Sequence, residues 1–242
     1  MGLKMSTIFD RFGTSWKAAS RDVVLIVLGI LIAFSLDAWW EDREELDRLQ
    51  GNLVALKGEF ERVVEIIDND STHVANSLEA TRTLLALTGP GPQENGSDSL
   101  EAILDIATMT KTLDLPSGAL NSMILSAEVS QIESDRLRSL LARWPALVDE
   151  VREQLTFMRW DQDEKVKPLV NRYVPLRNVL RTPLARVGRS AFESDFGGLL
   201  RDRGFEGLLA DRVQLGVTAE GEFSTLRKAA EDILELIDLE LR

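Results

Sequence analysis

No cysteine occurs anywhere in the 242 residues. Its absence excludes disulfide staples, thiolate metal sites and thiol nucleophiles together. Histidine is almost absent as well: the single one, His73 in STHVANS, has no second imidazole or thiolate with which to complete a transition-metal site. It reads as a polar side chain on a helix. The phosphate-cradling patterns G-x-x-x-x-G-K-[ST] and G-x-G-x-x-G are missing, and so are H-E-x-x-H and G-x-S-x-G. No alternating β-branched runs flank a tight turn, so no strand is expected. No repeat of solenoid length is visible. Basic charge is also in deficit, with 28 Lys+Arg against 40 Asp+Glu and a formal net charge of −12. An acidic surface repels phosphate backbones, which excludes nucleic acid as a partner. The expectation is a non-enzymatic protein with no catalytic residues, no cofactor and no metal.

One acidic cluster, Trp160-Asp161-Gln162-Asp163-Glu164-Lys165, has the carboxylate density of a calcium loop. Counted from Asp161, such a loop needs glycine at its sixth position and glutamate at its twelfth. Those places hold Val166 and Arg172. The cluster therefore reads as the solvated acidic end of a helix.

What the chain does have is one apolar run, Val23 to Leu36, bounded by Asp22 and Asp37. At about 1.5 Å per residue the run covers only ~21 Å, short of a ~30 Å hydrocarbon core. Its flanks extend it. Trp16 on one side and Trp39-Trp40 on the other suit two interfacial aromatic belts, and Lys17 and Arg21 can snorkel to headgroups. Residues 22–40 are thus expected to form an uncleaved transmembrane anchor, although Ala33-Phe34-Ser35 is a weak small-x-small cleavage match. Basic residues cluster before the run (Lys4, Arg11, Lys17, Arg21), and acidic ones follow it (Glu41, Asp42, Glu44, Glu45, Asp47). That asymmetry places the N-terminus in the cytoplasm and the body in the periplasm of a bacterial inner membrane. Within the anchor, Gly29 and Ala33 form a small-xxx-small pair suited to helix–helix contact.

Residues 1–21 read as a short cytoplasmic amphipathic head, too small for an output domain. Residues 41–242 read as one helical bundle. Leu46, Leu49, Leu53, Leu56, Phe60, Val63 and Ile67 repeat at 3-4 spacing, a heptad seam. The next seam position is Asp70, after which Val74, Leu78 and Leu85 resume. One helix is therefore expected from about residue 22 to 87, ended by Gly89-Pro90-Gly91-Pro92. Ser99 is expected to cap a short helix reaching Leu113, and Ser134 a long one whose face includes Leu137, Leu141, Trp144, Val151 and Leu155. Pro168, Pro175 and Pro183 break the stretch 166–188, and a final helix is expected from Thr218, burying Phe223, Leu226, Ala230, Ile233 and Ile237. The fold expected is all-α: an N-terminal transmembrane helix that continues as a long stalk helix and leads into an extracytoplasmic helical bundle.

GILIAFSLDAWWEDREE resembles the opening of an uncharacterised family of single-span bacterial membrane proteins, with its GI-x-IA-x-x-x-[DN]-x-W-x-E anchor. LPSGALNSMILSAEVSQIESDRLRSLL and LLADRVQLGVTAEGEFSTLRKAAEDILELIDLEL are similar to that family's central block and closing helix. Ala38 departs from the pattern, where the family often has a second polar residue. The resemblance implies a helical extracytoplasmic body and carries no biochemical activity. The expected partners are membrane lipid and either an integral membrane protein or copies of the chain itself. The leading expectation is an assembly or accessory (scaffold) subunit of a membrane complex. The alternatives are a periplasmic ligand-sensing bundle that signals through a separate partner, and a homo-oligomeric channel.

Overall fold

A computed structural model describes residues 9–91, 97–180 and 188–242, with side chains described from Val23 onward except at Val24, Asp42 and Ser97. Every element among the described residues is helical, so the fold is all-α. The chain divides into two units, Met1–Asn52 and Leu53–Arg242. Helix α1, Phe9–Leu87, supplies residues to both. It begins well before the expected residue 22, and the body expected from residue 41 is compact from Leu53.

The second unit is an antiparallel arrangement of four rungs. The first is α1 from Leu53 to Leu87. The second rung combines α2 (Ser97–Ala107), an extended connector and α3 (Gly118–Leu125). A 3₁₀ turn at Glu128–Gln131 leads to α4, Asp135–Asp161, capped by the Ser134 hydroxyl accepting from the Leu137 N–H as its sequence led one to expect. A π-helical turn, Gln162–Val166, joins α4 to α5 (Lys167–Val170), and α6 (Leu176–Val179) and α7 (Phe196–Arg201) follow. Helix α8, Arg203–Glu240, is the last rung, capped by Asp202.

Three pairings along α1 fix its register against α8. Lys57 Nζ lies 2.6 Å from Asp238, Arg227 Nε lies 2.6 Å from Asp68, and Gly216 meets Leu78. Position numbers rise on one helix as they fall on the other, so the two run antiparallel. Helix α4 runs the same way as α1, with Trp144 edge-on to Phe60 at 4.9 Å between ring centroids. It opposes α8, where Gln154 Nε2 donates to the Leu215 carbonyl at 3.0 Å. Phe60, Phe205, Phe223, Leu56, Ile67, Leu137 and Leu141 are among the largest side chains sealed in this interior. Burying each contributes about 1.5–3 kcal/mol.

Several expected boundaries move. Helix α2 starts at Ser97, not after Ser99, and stops at Ala107 instead of Leu113. The reason is visible in its last carbonyl: that of Ala107 accepts from Arg212 Nη2 at 2.8 Å and from Ser77 Oγ at 3.1 Å, so other rungs take the bond a further helical N–H would make. Helix α8 begins at Arg203 and not at Thr218. Gly204 and Gly207, glycines that suggest breaks between short helices, lie inside it, and so does Gly216. At Gly216 the helices cross closely: an added Cβ would stand 3.0 Å from Leu78 Cδ1 and 3.3 Å from its Cβ. Pro92 and Pro183 lie outside the described residues.

Candidate functional site

The apolar run belongs to the first unit. Val23, Leu25, Ile26, Leu28, Leu31, Ile32, Phe34 and Leu36 are all more than half exposed, on every side of the helix. Trp39 and Trp40 follow, 56% and 66% exposed, with ring centroids 6.0 Å apart. Such a ring of apolar surface has no solvated polar face: Ser35 turns its hydroxyl back to the Leu31 carbonyl at 2.8 Å. A Cβ added at Gly29 would meet nothing within 4 Å, and Ala33 lies beside Ile30, Phe34 and Asp37 in a shallow groove. Among the described residues no helix is long and apolar enough to cross a membrane. The unbroken stretch of described side chains here, Leu25 to Glu41, is shorter than one crossing. Trp16, Lys17 and Arg21 lie outside the described side chains.

The heptad seam divides at its first member. Leu46 is 57% exposed, whereas Leu49, Leu53, Leu56, Phe60, Val63 and Ile67 are buried. The 3-4 spacing then continues through Asp70, Val74, Ser77, Thr81 and Leu84, all buried. The polar members each have a partner. Asp70 lies 3.8 Å from Lys111 Nζ, Ser77 donates to Ala107, and Thr81 donates to the Ser77 carbonyl at 2.7 Å. Higher up, the buried Glu59 carboxylate accepts from the Ala119 and Leu120 N–H groups at 2.7 and 3.2 Å, which caps the start of α3.

At the far end of α4 the acidic cluster is not wholly solvated. Asp161 and Gln162 are buried while Asp163 and Glu164 are exposed. Asp161 ends α4 and Gln162 opens the π turn, where the helix widens by about one residue per turn. Lys165 Nζ reaches Asp161 Oδ1 at 2.9 Å, and Arg212 Nη1 of α8 lies 3.8 Å from Asp161 Oδ2. Arg212 is only 3% exposed. Burial pulls its basicity down, and the Asp161 charge pulls it back up. The hydrogen bond that Lys165 donates to Asp161, with the Asp161 charge, raises the Lys165 ammonium above its ordinary value. Asp161 and Arg212 are thus enclosed together, while Lys165 reaches Asp161 from a part-exposed position, 5.1 Å from the Trp160 ring centre. No group of three or more metal-ligating side chains occurs among the described residues.

A cleft of about 290 Å³ opens between the α3 segment and α4. Pro116 and Asn121 line one wall, and Trp144, Pro145, Asp149 and Arg152 the other. Arg152 is tethered there, donating to the Leu113 carbonyl and to Asp149, each at 3.3 Å. Pro145 has no N–H, so the Leu141 carbonyl lacks its helical donor. The sequence pointed to neither this cleft nor Arg212; the only signal for Arg212 was a basic residue at a position α8 buries. No family model, curated protein or solved structure matches this chain.

Proposed function

We propose that this chain is a non-enzymatic accessory, or scaffold, subunit of a membrane protein complex. In this reading residues 22–40 are a single span in the bacterial inner membrane, with the N-terminus cytoplasmic and the helical body periplasmic. The reading also places the chain beside the single-span family that GILIAFSLDAWWEDREE resembles. The observation that carries it is the apolar run left exposed on every side. Leaving each such side chain in water forgoes about 1.5–3 kcal/mol of burial. Lipid removes that cost all round, and two tryptophans close the run where an interfacial belt is needed. Charge supports the orientation, because the basic residues precede the run and the acidic ones follow it. The body brings buried seams and tethered ion pairs, which suit a rigid support more than a turnover site.

The test is a fusion after Arg242 of a reporter active only in the periplasm, together with alkaline extraction of the membranes. A periplasmic signal from a chain that resists extraction supports the reading. A signal only from a cytoplasmic reporter at the same position overturns the orientation and the localisation. Mild-detergent purification followed by mass spectrometry is expected to show another integral protein in fixed ratio. The cleft of about 290 Å³ beside Trp144 and Arg152 favours one second reading, a ligand-sensing bundle. A small molecule retained in that same purification would support it.

A further inference from the structure

We infer that the face formed by Gly29, Ala33 and Asp37 docks a transmembrane helix of a different protein, one that carries a basic side chain level with Asp37. The inference rests on residues 22–40 being a membrane span. Its geometry comes from the helix itself. Ile30, Ala33, Phe34 and Asp37 stand at i, i+3, i+4 and i+7, the four corners of a hole that receives one knob from a facing helix. Leu36 and Trp40 extend the groove beyond them. Gly29 and Ala33 lower the floor, with open space where the Gly29 Cβ would stand, so two backbones can approach closely.

Asp37 decides what fills the hole. Its side chain is exposed, and it makes no hydrogen bond or ion pair with any described residue. The positions three and four away along the helix hold Ala33, Phe34, Trp40 and Glu41, none of them basic. It also precedes Trp39-Trp40 in the chain, which puts the carboxylate on the hydrocarbon side of the tryptophan belt. A carboxylate that gives up water there needs a counter-charge or a donor. A second copy of this chain cannot supply one. Every copy inserts in the same orientation, so a two-fold contact at Ala33 sets carboxylate against carboxylate about one turn away. A helix from another protein with arginine at that depth satisfies both features, since a guanidinium pairs with a carboxylate through two parallel bonds.

The experiment uses the full-length chain in phosphatidylcholine vesicles, with insertion verified by protease digestion. The probe is a synthetic leucine–alanine transmembrane peptide with tryptophan ends and one arginine a turn inside its outer tryptophan. An otherwise identical peptide has leucine at that place. Association is read by energy transfer between the labelled chain and each peptide. The arginine peptide is expected to bind at least about tenfold more tightly than the leucine peptide. That preference should shrink to about twofold or less in Asp37→Asn, and Ala33→Leu should weaken both peptides. Equal binding of the two peptides to the inserted wild-type chain overturns the inference, and so does a preference that survives Asp37→Asn. Self-association of the wild-type chain that Ala33→Leu abolishes would assign the face to a second copy instead. A chain that fails to insert overturns the membrane reading as well, so the two failures are told apart.

Discussion

Removing the carboxylate of Asp161 should cost the body more stability than removing the guanidinium beside it. Asp161 has two cations within reach, at 2.9 Å and 3.8 Å. At 3.8 Å and an effective dielectric of 20, the attraction between Arg212 and Asp161 is on the order of 4 kcal/mol before desolvation. Asp161→Asn leaves Arg212 buried with the Ala107 carbonyl as its hydrogen-bond partner. Stranding a buried charge in this way costs about 3–5 kcal/mol. Arg212→Met strands less. Asp161 keeps Lys165, and the Ala107 carbonyl keeps the Ser77 hydroxyl, so the expected cost is about 1–3 kcal/mol. The double variant removes both charges and should be more stable than Asp161→Asn alone, because the orphaned cation is gone. The assay is urea-induced unfolding of the full-length chain in detergent micelles, followed by far-ultraviolet circular dichroism. Costs that simply add in the double variant would refute the argument, since uncoupled sites behave that way.

Four further outcomes follow from other positions in the body. Gly216→Ala should destabilise by about 1–3 kcal/mol despite alanine's better helix propensity, because its Cβ would press on Leu78. Gly221→Ala, on the same helix with nothing within 4 Å of the new Cβ, should stabilise by about 0.5–1 kcal/mol, and thermal melts will separate the two. Glu59→Ala should cost about 1–3 kcal/mol, since the Ala119 and Leu120 N–H groups lose their acceptor; amide exchange at those two residues should speed up. Burial, then Glu150 and Glu153, holds the Glu222 carboxyl above its ordinary value. The folded state then binds this proton more tightly than the unfolded one, so stability falls as pH rises above the ordinary carboxylate range. Glu222→Gln should therefore be more stable than the wild type at neutral pH, with the advantage gone below pH 4.5, the group's unperturbed value. A difference independent of pH would contradict this.

The apolar seam from Leu49 to Ile67 and the faces of α4 and α8 were legible, because burial of leucine and valine at helical spacing leaves a pattern in one dimension. The polar members of the same seam were not. Nothing local distinguishes the buried Asp70, Ser77 and Thr81 from solvated residues; the partners of Asp70 and Ser77 lie on the second rung, and Thr81 turns back to its own helix. The start of α8 was hidden for the opposite reason. Glycine marks both a helix stop and a close crossing, and only the presence of Leu78 opposite Gly216 tells which applies. The π turn after Asp161 has no compositional mark at all. Asp161 and Gln162 on either side of its start are buried, so the solvated reading of the acidic cluster fails at those two residues.

The register of α8 against α1 has a mechanical consequence. The numbering that pairs Lys57 with Asp238 and Leu78 with Gly216 brings the end of the chain back to the level where the body begins at Leu53. A force applied between Leu53 and Arg242 would therefore load these contacts one after another, from the Lys57–Asp238 pair downward. Contacts opened in sequence give way at lower force than the same contacts sheared together. Tension between those two points should peel α8 away while α4, held at Phe60 by Trp144, stays in place.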